Sequence, residues 1–226
     1  MSLKPDRKSN RNKPWIASRK SGGRRLKISY HLIVTEGTKT EPSYFNGLKR
    51  AINVADGMEK VHLDIIGTGT NTTGLISRAK SLVRNAGNPY QHVWLVYDKD
   101  DFPTADFNSV VDLCLKETRV SGEVIYHAIW SNQCIELWFL LHFIYLNTNI
   151  HRSEYYTRLS KYLEQEGLGK YTKNRDDIFT VLLPKIRAAI ENAEKLEIVN
   201  NGKTPSQSAP GTMVHAMMKE FLPYLQ

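Results

Sequence analysis

His92-Val-Trp-Leu-Val-Tyr-Asp-Lys-Asp-Asp101 is the stretch that decides the fold. Residues 92–97 are a short run rich in β-branched and aromatic side chains, which reads as a strand. It runs without a break into three acids within four positions. Pro103 follows, and Phe107, Val110, Val111 and Cys114 then recur at helical spacing. A strand, an acidic turn and a helix are therefore expected in that order.

The same unit recurs on both sides. Ile28–Val34 reads as a strand that stops at Thr35-Glu36-Gly37, and Pro42 then marks the first turn of a helix to about Asn53. Val61–Ile66 is a second strand, ending in Gly67-Thr-Gly69. Asn71, Thr72 and Thr73 are candidate caps for the helix after it. Glu123–Ile129 is a fourth strand, ending at Ser131-Asn132 and followed by a nearly all-apolar stretch, 134–146, read as a helix. Four β-α units predict an α/β fold: a mostly parallel sheet with helices on both faces. Beyond about residue 150, helices are expected at 153–165, 177–193 and 211–223, with a loop over 200–211. The expected organisation is a basic arm (1–27), an α/β domain (28–150) and a C-terminal helical region packed on it (151–226).

Composition narrows the function. The chain has 226 residues, 41% hydrophobic and 24% charged, which is globular rather than disordered or fibrous. Two cysteines cannot build a disulfide framework, and no Cys/His spacing suits zinc. No apolar run approaches the roughly 20 residues of a membrane span, so a cytoplasmic protein without a membrane partner is expected. The net charge is +8, but residues 1–27 hold ten of the 31 bases and one of the 23 acids. The rest of the chain is close to neutral. The arm, with Arg19, Lys20, Arg24 and Arg25 near its end, is expected to attract polyphosphate; a merely solubilising tail is the alternative.

In open α/β sheets, chemistry sits at the carboxyl ends of the strands. Glu36 ends the first strand; Asp98, Asp100 and Asp101 end the third. Carboxylates gathered there repel unless a hard cation neutralises them, and Mg²⁺ (or Mn²⁺) suits oxygen ligands that leave room for a phosphate. The plain alternative is that Asp98–Asp101 only turns the chain and caps a helix. Lys39 is placed to contact a phosphate. Glu136, at the start of the apolar helix, is either a helix-dipole carboxylate or part of the site. His142 reads as a core histidine, and Trp138, Phe139 and Phe143 as core aromatics. The Gly67-x-Gly-x-x-x-x-Gly74 stretch lacks the Gly-Lys-Ser/Thr of a Walker loop.

Three blocks carry a family resemblance: Ile33-Val-Thr-Glu-Gly-Thr-Lys-Thr-Glu-Pro-Ser-Tyr-Phe45, Tyr97-Asp-Lys-Asp-Asp-Phe102 and Ser131-Asn-Gln-Cys-Ile-Glu-Leu-Trp-Phe-Leu-Leu-His-Phe143. Occurring in this order, they resemble the RloB-like family over about residues 28–220. Thr204–His215 is similar to that family's C-terminal motif. Thr35 stands where a cysteine is usual, and Gln133-Cys134-Ile135 departs from Pro-x-Phe. The resemblance implies a Toprim-like domain in which Glu36, Asp98 and Asp100 hold magnesium. It further implies antiphage, abortive-infection defence at restriction-linked loci beside an AAA-type ATPase. The expected activity is metal-dependent phosphodiester hydrolysis of RNA or DNA. Glu36, Lys39 and Glu136 are the catalytic candidates, and Glu36, Asp98, Asp100 and Asp101 the metal candidates. A non-catalytic subunit that binds nucleic acid or the ATPase is the alternative, and a homo-oligomer is possible.

Deleting residues 1–25 is expected to weaken non-specific nucleic-acid binding and flatten its salt dependence, while the cooperative melt persists. Binding titrations across a salt series, with a melting curve on the same preparation, check this.

Overall fold

The computed structural model describes residues 28–52, 60–100 and 103–225. The arm with Arg19, Lys20, Arg24 and Arg25 lies outside the described residues, as does Asp101. Strands β1 (Ser29–Thr35), β2 (Val61–Gly67), β3 (His92–Asp98) and β4 (Ile125–Asn132) are parallel, in the order β2-β1-β3-β4. A two-residue strand, β5 (Gly211–Thr212), pairs antiparallel with the end of β4. The α/β class and its mostly parallel sheet are as the sequence predicts.

Period-two alternation sends the strand residues to opposite faces. Leu32, Val34, Val93, Leu95 and Tyr97 pack against Leu75 and Ala79 of α2 (Thr72–Arg84) and Phe107, Val110 and Cys114 of α3 (Thr104–Ser121). Ile33, Trp94, Val96 and Ile129 face a larger core. That core takes in α1 (Thr40–Ala51), α4 (Glu136–Leu140), α5 (Arg152–Gln165), α6 (Ile178–Leu182), α7 (Ile186–Val199) and α8 (Val214–Phe221). The C-terminal helices therefore share one apolar core with the sheet. Asn71 caps α2 by accepting from the Gly74 N–H at 3.0 Å. Gly122, at φ +70°, ends α3 in the left-handed region. Among the described residues, no helix is long and apolar enough to cross a membrane.

Three expectations need correction. The apolar stretch 134–146 is helical only over Glu136–Leu140. Past it, His142 and Phe143 bond three residues back, to Phe139 and Leu140, and the Leu141 carbonyl accepts from Asn192 Nδ2 at 2.9 Å. The run is a buried plug held by side chains of other elements, and its apolarity reports burial rather than helix length. The helix expected at 177–193 is two helices, α6 and α7, separated by the tight turn Leu183-Pro-Lys185. Pro184 has no N–H to carry the ladder across. Finally, the helix expected at 211–223 runs only over Val214–Phe221, and β5 precedes it, whereas β4 ends at Ser131-Asn132 as expected. The polar ends are bonded: Ser131 Oγ to Thr212 Oγ1 at 3.0 Å, and Asn132 Nδ2 to the Pro205 and Ser206 carbonyls at 3.1 Å each.

His31 and His142 are buried, and His92 and His127 are half-buried. His31, His92 and His127 stack with Trp94 near the amino ends of the strands, His127 lying 3.9 Å from the Trp94 ring centre. His142 packs edge-on against Trp138, with its Nδ1–H donating to the Trp138 carbonyl at 2.9 Å. Burial pulls its pKa down to about 4. The unfolded chain takes up a proton near pH 6.5 and the folded chain does not. The contribution of His142 is therefore complete above about pH 6.5 and is lost as pH falls from there to about 4. We expect His142→Phe, which keeps the volume and has no proton to gain, to show a shallower loss of urea stability across that window. Parallel slopes for the two proteins would contradict this.

Candidate active site

Strand order reverses between β1 and β3. The helix after β1 packs on one face of the sheet and the helix after β3 on the other, which opens a crevice at the carboxyl ends of these two strands. The Glu36 N–H donates to the Val96 carbonyl at 2.9 Å and carries the β1–β3 ladder one residue past β1. In return, Glu36 Oε2 accepts from the Asp98 N–H at 3.4 Å. Glu36 and Asp98, 62 positions apart, thus sit side by side. Tyr97 points the other way, into the core against Phe107, as alternation requires.

The next turn brings in a carboxylate that the sequence reading passed over. Glu41, in the first turn of α1, is only 7% exposed. Its side chain folds back over the Gly37 backbone, and a Cβ on Gly37 would come within 2.3 Å of Glu41 Oε2. Any side chain there would push the Glu41 carboxylate out of its place. Burial raises the Glu41 pKa, with the charges of Glu136 and Asp100 adding to the effect; N–H groups of Glu41 and Gly37 work against it. The residue was visible in the Lys39-Thr-Glu-Pro42 stretch, but nothing in the spacing set it apart from an ordinary first-turn acid.

Asp98 is the centre of the group. Its Oδ2 accepts from the Ile135 N–H at 3.1 Å, while Oδ1 is buried and has no hydrogen-bond partner among the described residues. Burial pushes its pKa well above the usual carboxylate range, and Glu41, Glu136 and Asp100 push it further. Asp100, at φ +33°, turns the chain, and its Oδ1 accepts from Arg152 Nη1 at 2.5 Å. Glu136 is 3% exposed, and its Oε1 accepts from the Tyr171 hydroxyl at 2.9 Å. One cleft of about 250 Å³ is lined by Lys39, Glu41, Asp98, Asp100, Glu136 and Lys173, among others. A neighbouring cleft shares Glu41, Asp98 and Asp100 and adds Glu36, Gly69 and Asn71.

The structure thus brings together Glu36, Lys39, Asp98, Asp100 and Glu136 of the predicted set. It leaves His142 and Trp138 in the core. Glu41, Tyr171, Lys173 and Arg152 were missed; the last three come from the C-terminal region, where no motif marks them. Among the described residues, no group of three or more His, Cys, Asp or Glu side chains is arranged to hold a metal ion. The acids nonetheless offer only oxygen donors, the kind a hard divalent cation takes, and one buried carboxylate oxygen, Asp98 Oδ1, has no hydrogen-bond partner among the described residues.

A family model described as RloB-like protein matches residues 31–221. The chain belongs to the RloB-like family. No curated protein and no solved structure matches it. The match takes in the strand ends that carry Glu36, Asp98 and Asp100 of this RloB-like protein, as well as the C-terminal segment that supplies Tyr171 and Lys173.

Because the Asp98 pKa is raised by folding, its contribution is most favourable at low pH and is lost as pH climbs above the ordinary carboxylate value of about 4. Asn at this position removes the charge. Asp98→Asn is therefore expected to melt higher than wild type near pH 8 in EDTA, within the range of about 0.5–2 kcal/mol typical of such relief. A variant that melts lower at that pH would show that the other carboxylates do not oppose Asp98.

Proposed function

We propose that this RloB-like protein is a Mg²⁺- or Mn²⁺-dependent nuclease with a Toprim-like site, acting in antiphage defence beside an AAA-type ATPase. The observation that carries the reading is the unpartnered, buried Oδ1 of Asp98 among Glu41, Glu136 and Asp100 at the carboxyl end of the sheet. Family membership supports the defence setting.

Asp98, Asp100 and Glu41 would hold the ion. When bound, it would neutralise charge on the scissile phosphate and acidify a water. The chain's own groups do the rest. Glu36, steadied by the Asp98 N–H, takes the proton of the water that attacks phosphorus. The bond from phosphorus to the leaving oxygen breaks, and that oxygen takes a proton from solvent. Arg152 fixes the Asp100 carboxylate. Tyr171 orients Glu136, which stands in the wall of the cleft. Lys39 binds the phosphate, and the arm with Arg19, Lys20, Arg24 and Arg25 draws in the strand.

Glu36→Gln keeps the acceptor for the Asp98 N–H and removes the base. With Mn²⁺ and RNA, single-stranded DNA or plasmid DNA as substrate, the variant is expected to cleave about 10²–10⁴ times more slowly. Its stability should change by no more than about 1 kcal/mol. Full cleavage by a well-folded Glu36→Gln protein would remove Glu36 from the mechanism. Absence of cleavage by wild type on every substrate would favour a non-catalytic binding subunit.

A further inference from the structure

One cation in the cleft is held close to the acids without touching them. Lys173 lies in the segment between α5 and α6, which is fastened across α1. Thr40 Oγ1 donates to the Lys173 carbonyl at 2.9 Å, Ser43 Oγ donates to Asp176 Oδ1 at 3.0 Å, and Arg50 Nη2 donates to the Asp176 carbonyl at 3.2 Å. Two residues earlier, Tyr171 reaches Glu136. The segment therefore has a fixed place relative to the carboxylates.

The Lys173 ammonium lies 5.2 Å from the centre of the Tyr156 ring. That ring is in turn backed by Tyr171, with centroids 6.0 Å apart and planes 15° from parallel. Hydrogen bonding to Tyr156 raises the Lys173 pKa, and the charges of Glu136 and Asp100 raise it further at longer range. An ammonium on a flexible stem beside four acids would ordinarily close onto one of them. Here the aromatic ring competes for it, and among the described residues Lys173 forms no ion pair. The space between this ammonium and the acids is the cleft of about 250 Å³, with Lys39 also in its lining. That volume lies below the range of about 300–1,000 Å³ that encloses a drug-sized ligand. A phosphate with the edge of its sugar is a group of suitable size and charge.

We propose that Lys173, held on Tyr156 and joined by Lys39, forms a phosphate subsite. It takes the non-bridging oxygens of a phosphodiester while a divalent cation occupies the acid side of the same cleft. The inference rests on reading the carboxylate group as a phosphodiester site, and it adds the residue that makes the C-terminal region part of the substrate contact.

The test avoids cleavage altogether. The full chain is treated with an amine-acylating reagent in Ca²⁺ in place of Mn²⁺, so that the acid side is filled, with and without a short fluorescein-labelled oligouridylate or its DNA counterpart, and modification of each lysine is read by mass spectrometry. Lys173 is expected to be acylated several-fold more slowly when the oligonucleotide is present. Lys173→Met should weaken oligonucleotide binding and lower the salt slope by about 0.7, the share of one single-strand phosphate contact. Lys173→Arg should restore both. Equal acylation of Lys173 with and without either oligonucleotide overturns the subsite, whatever the variants do. Protection of Lys173 in a protein that cleaves nothing with Mn²⁺ keeps the subsite and removes the nuclease. Cleavage without protection does the reverse.

Discussion

The enclosed carboxylate of Asp98, facing Glu41 and Glu136, is the constraint around which the rest of the molecule is arranged. Asp98 and Glu41 are unfavourable as charged groups where they stand. Burial strips Asp98 of water, and its neighbours carry the same charge. The protein retains them through specific donors: Ile135 N–H on Asp98, Gly37 and Glu41 N–H groups on Glu41, and the Tyr171 hydroxyl on Glu136. No single element supplies these donors. They come from the β1 turn, the first turn of α1, the chain between β4 and α4, and the segment before α6. The topology of β1 and β3 brings the first acids together, and the later helices enclose them.

Such an arrangement places stability and chemistry in opposition. Substitutions that ease the repulsion at Asp98 remove the group that a phosphodiester reaction would need. The apolar mass that surrounds the site explains how the fold tolerates the conflict. A large core includes Trp138, Phe139 and Leu140 on one side of the sheet, and Tyr97 and Phe107 lie in the core on the other. Gly47 lets α1 and α6 approach so closely that a Cβ there would sit 2.3 Å from Phe179 Cβ.

Much of this was legible in the sequence, and for a physical reason. The buried strands β1 and β3 announce themselves as apolar runs and the edge strand β2 by its β-branched residues, so all three could be placed within a residue or two. The acids at their ends could be placed with them. Where local pattern and tertiary contact disagree, the sequence misleads. The stretch 134–146 is apolar because it is a plug, and Pro184 divides what hydrophobic spacing alone joins. Glu41 was hidden by ambiguity, since an acid in a first helical turn is ordinary. Tyr171 and Arg152 were hidden by distance: their partners lie 35 and 52 positions away and leave no periodic trace.

The fastening of residues 173–176 across α1 carries a consequence for the order of assembly on the ribosome. A nascent chain that has emerged only as far as residue 150 already contains Glu36, Glu41, Asp98, Asp100 and Glu136. It still lacks the hydroxyl that holds Glu136, the ammonium opposite the acids, and the helices that cover Trp138 and Phe139. The cleft closes only when the segment before α6 reaches back some 130 positions to Thr40 and Ser43. Synthesis therefore runs well past the acids before the pocket they line exists.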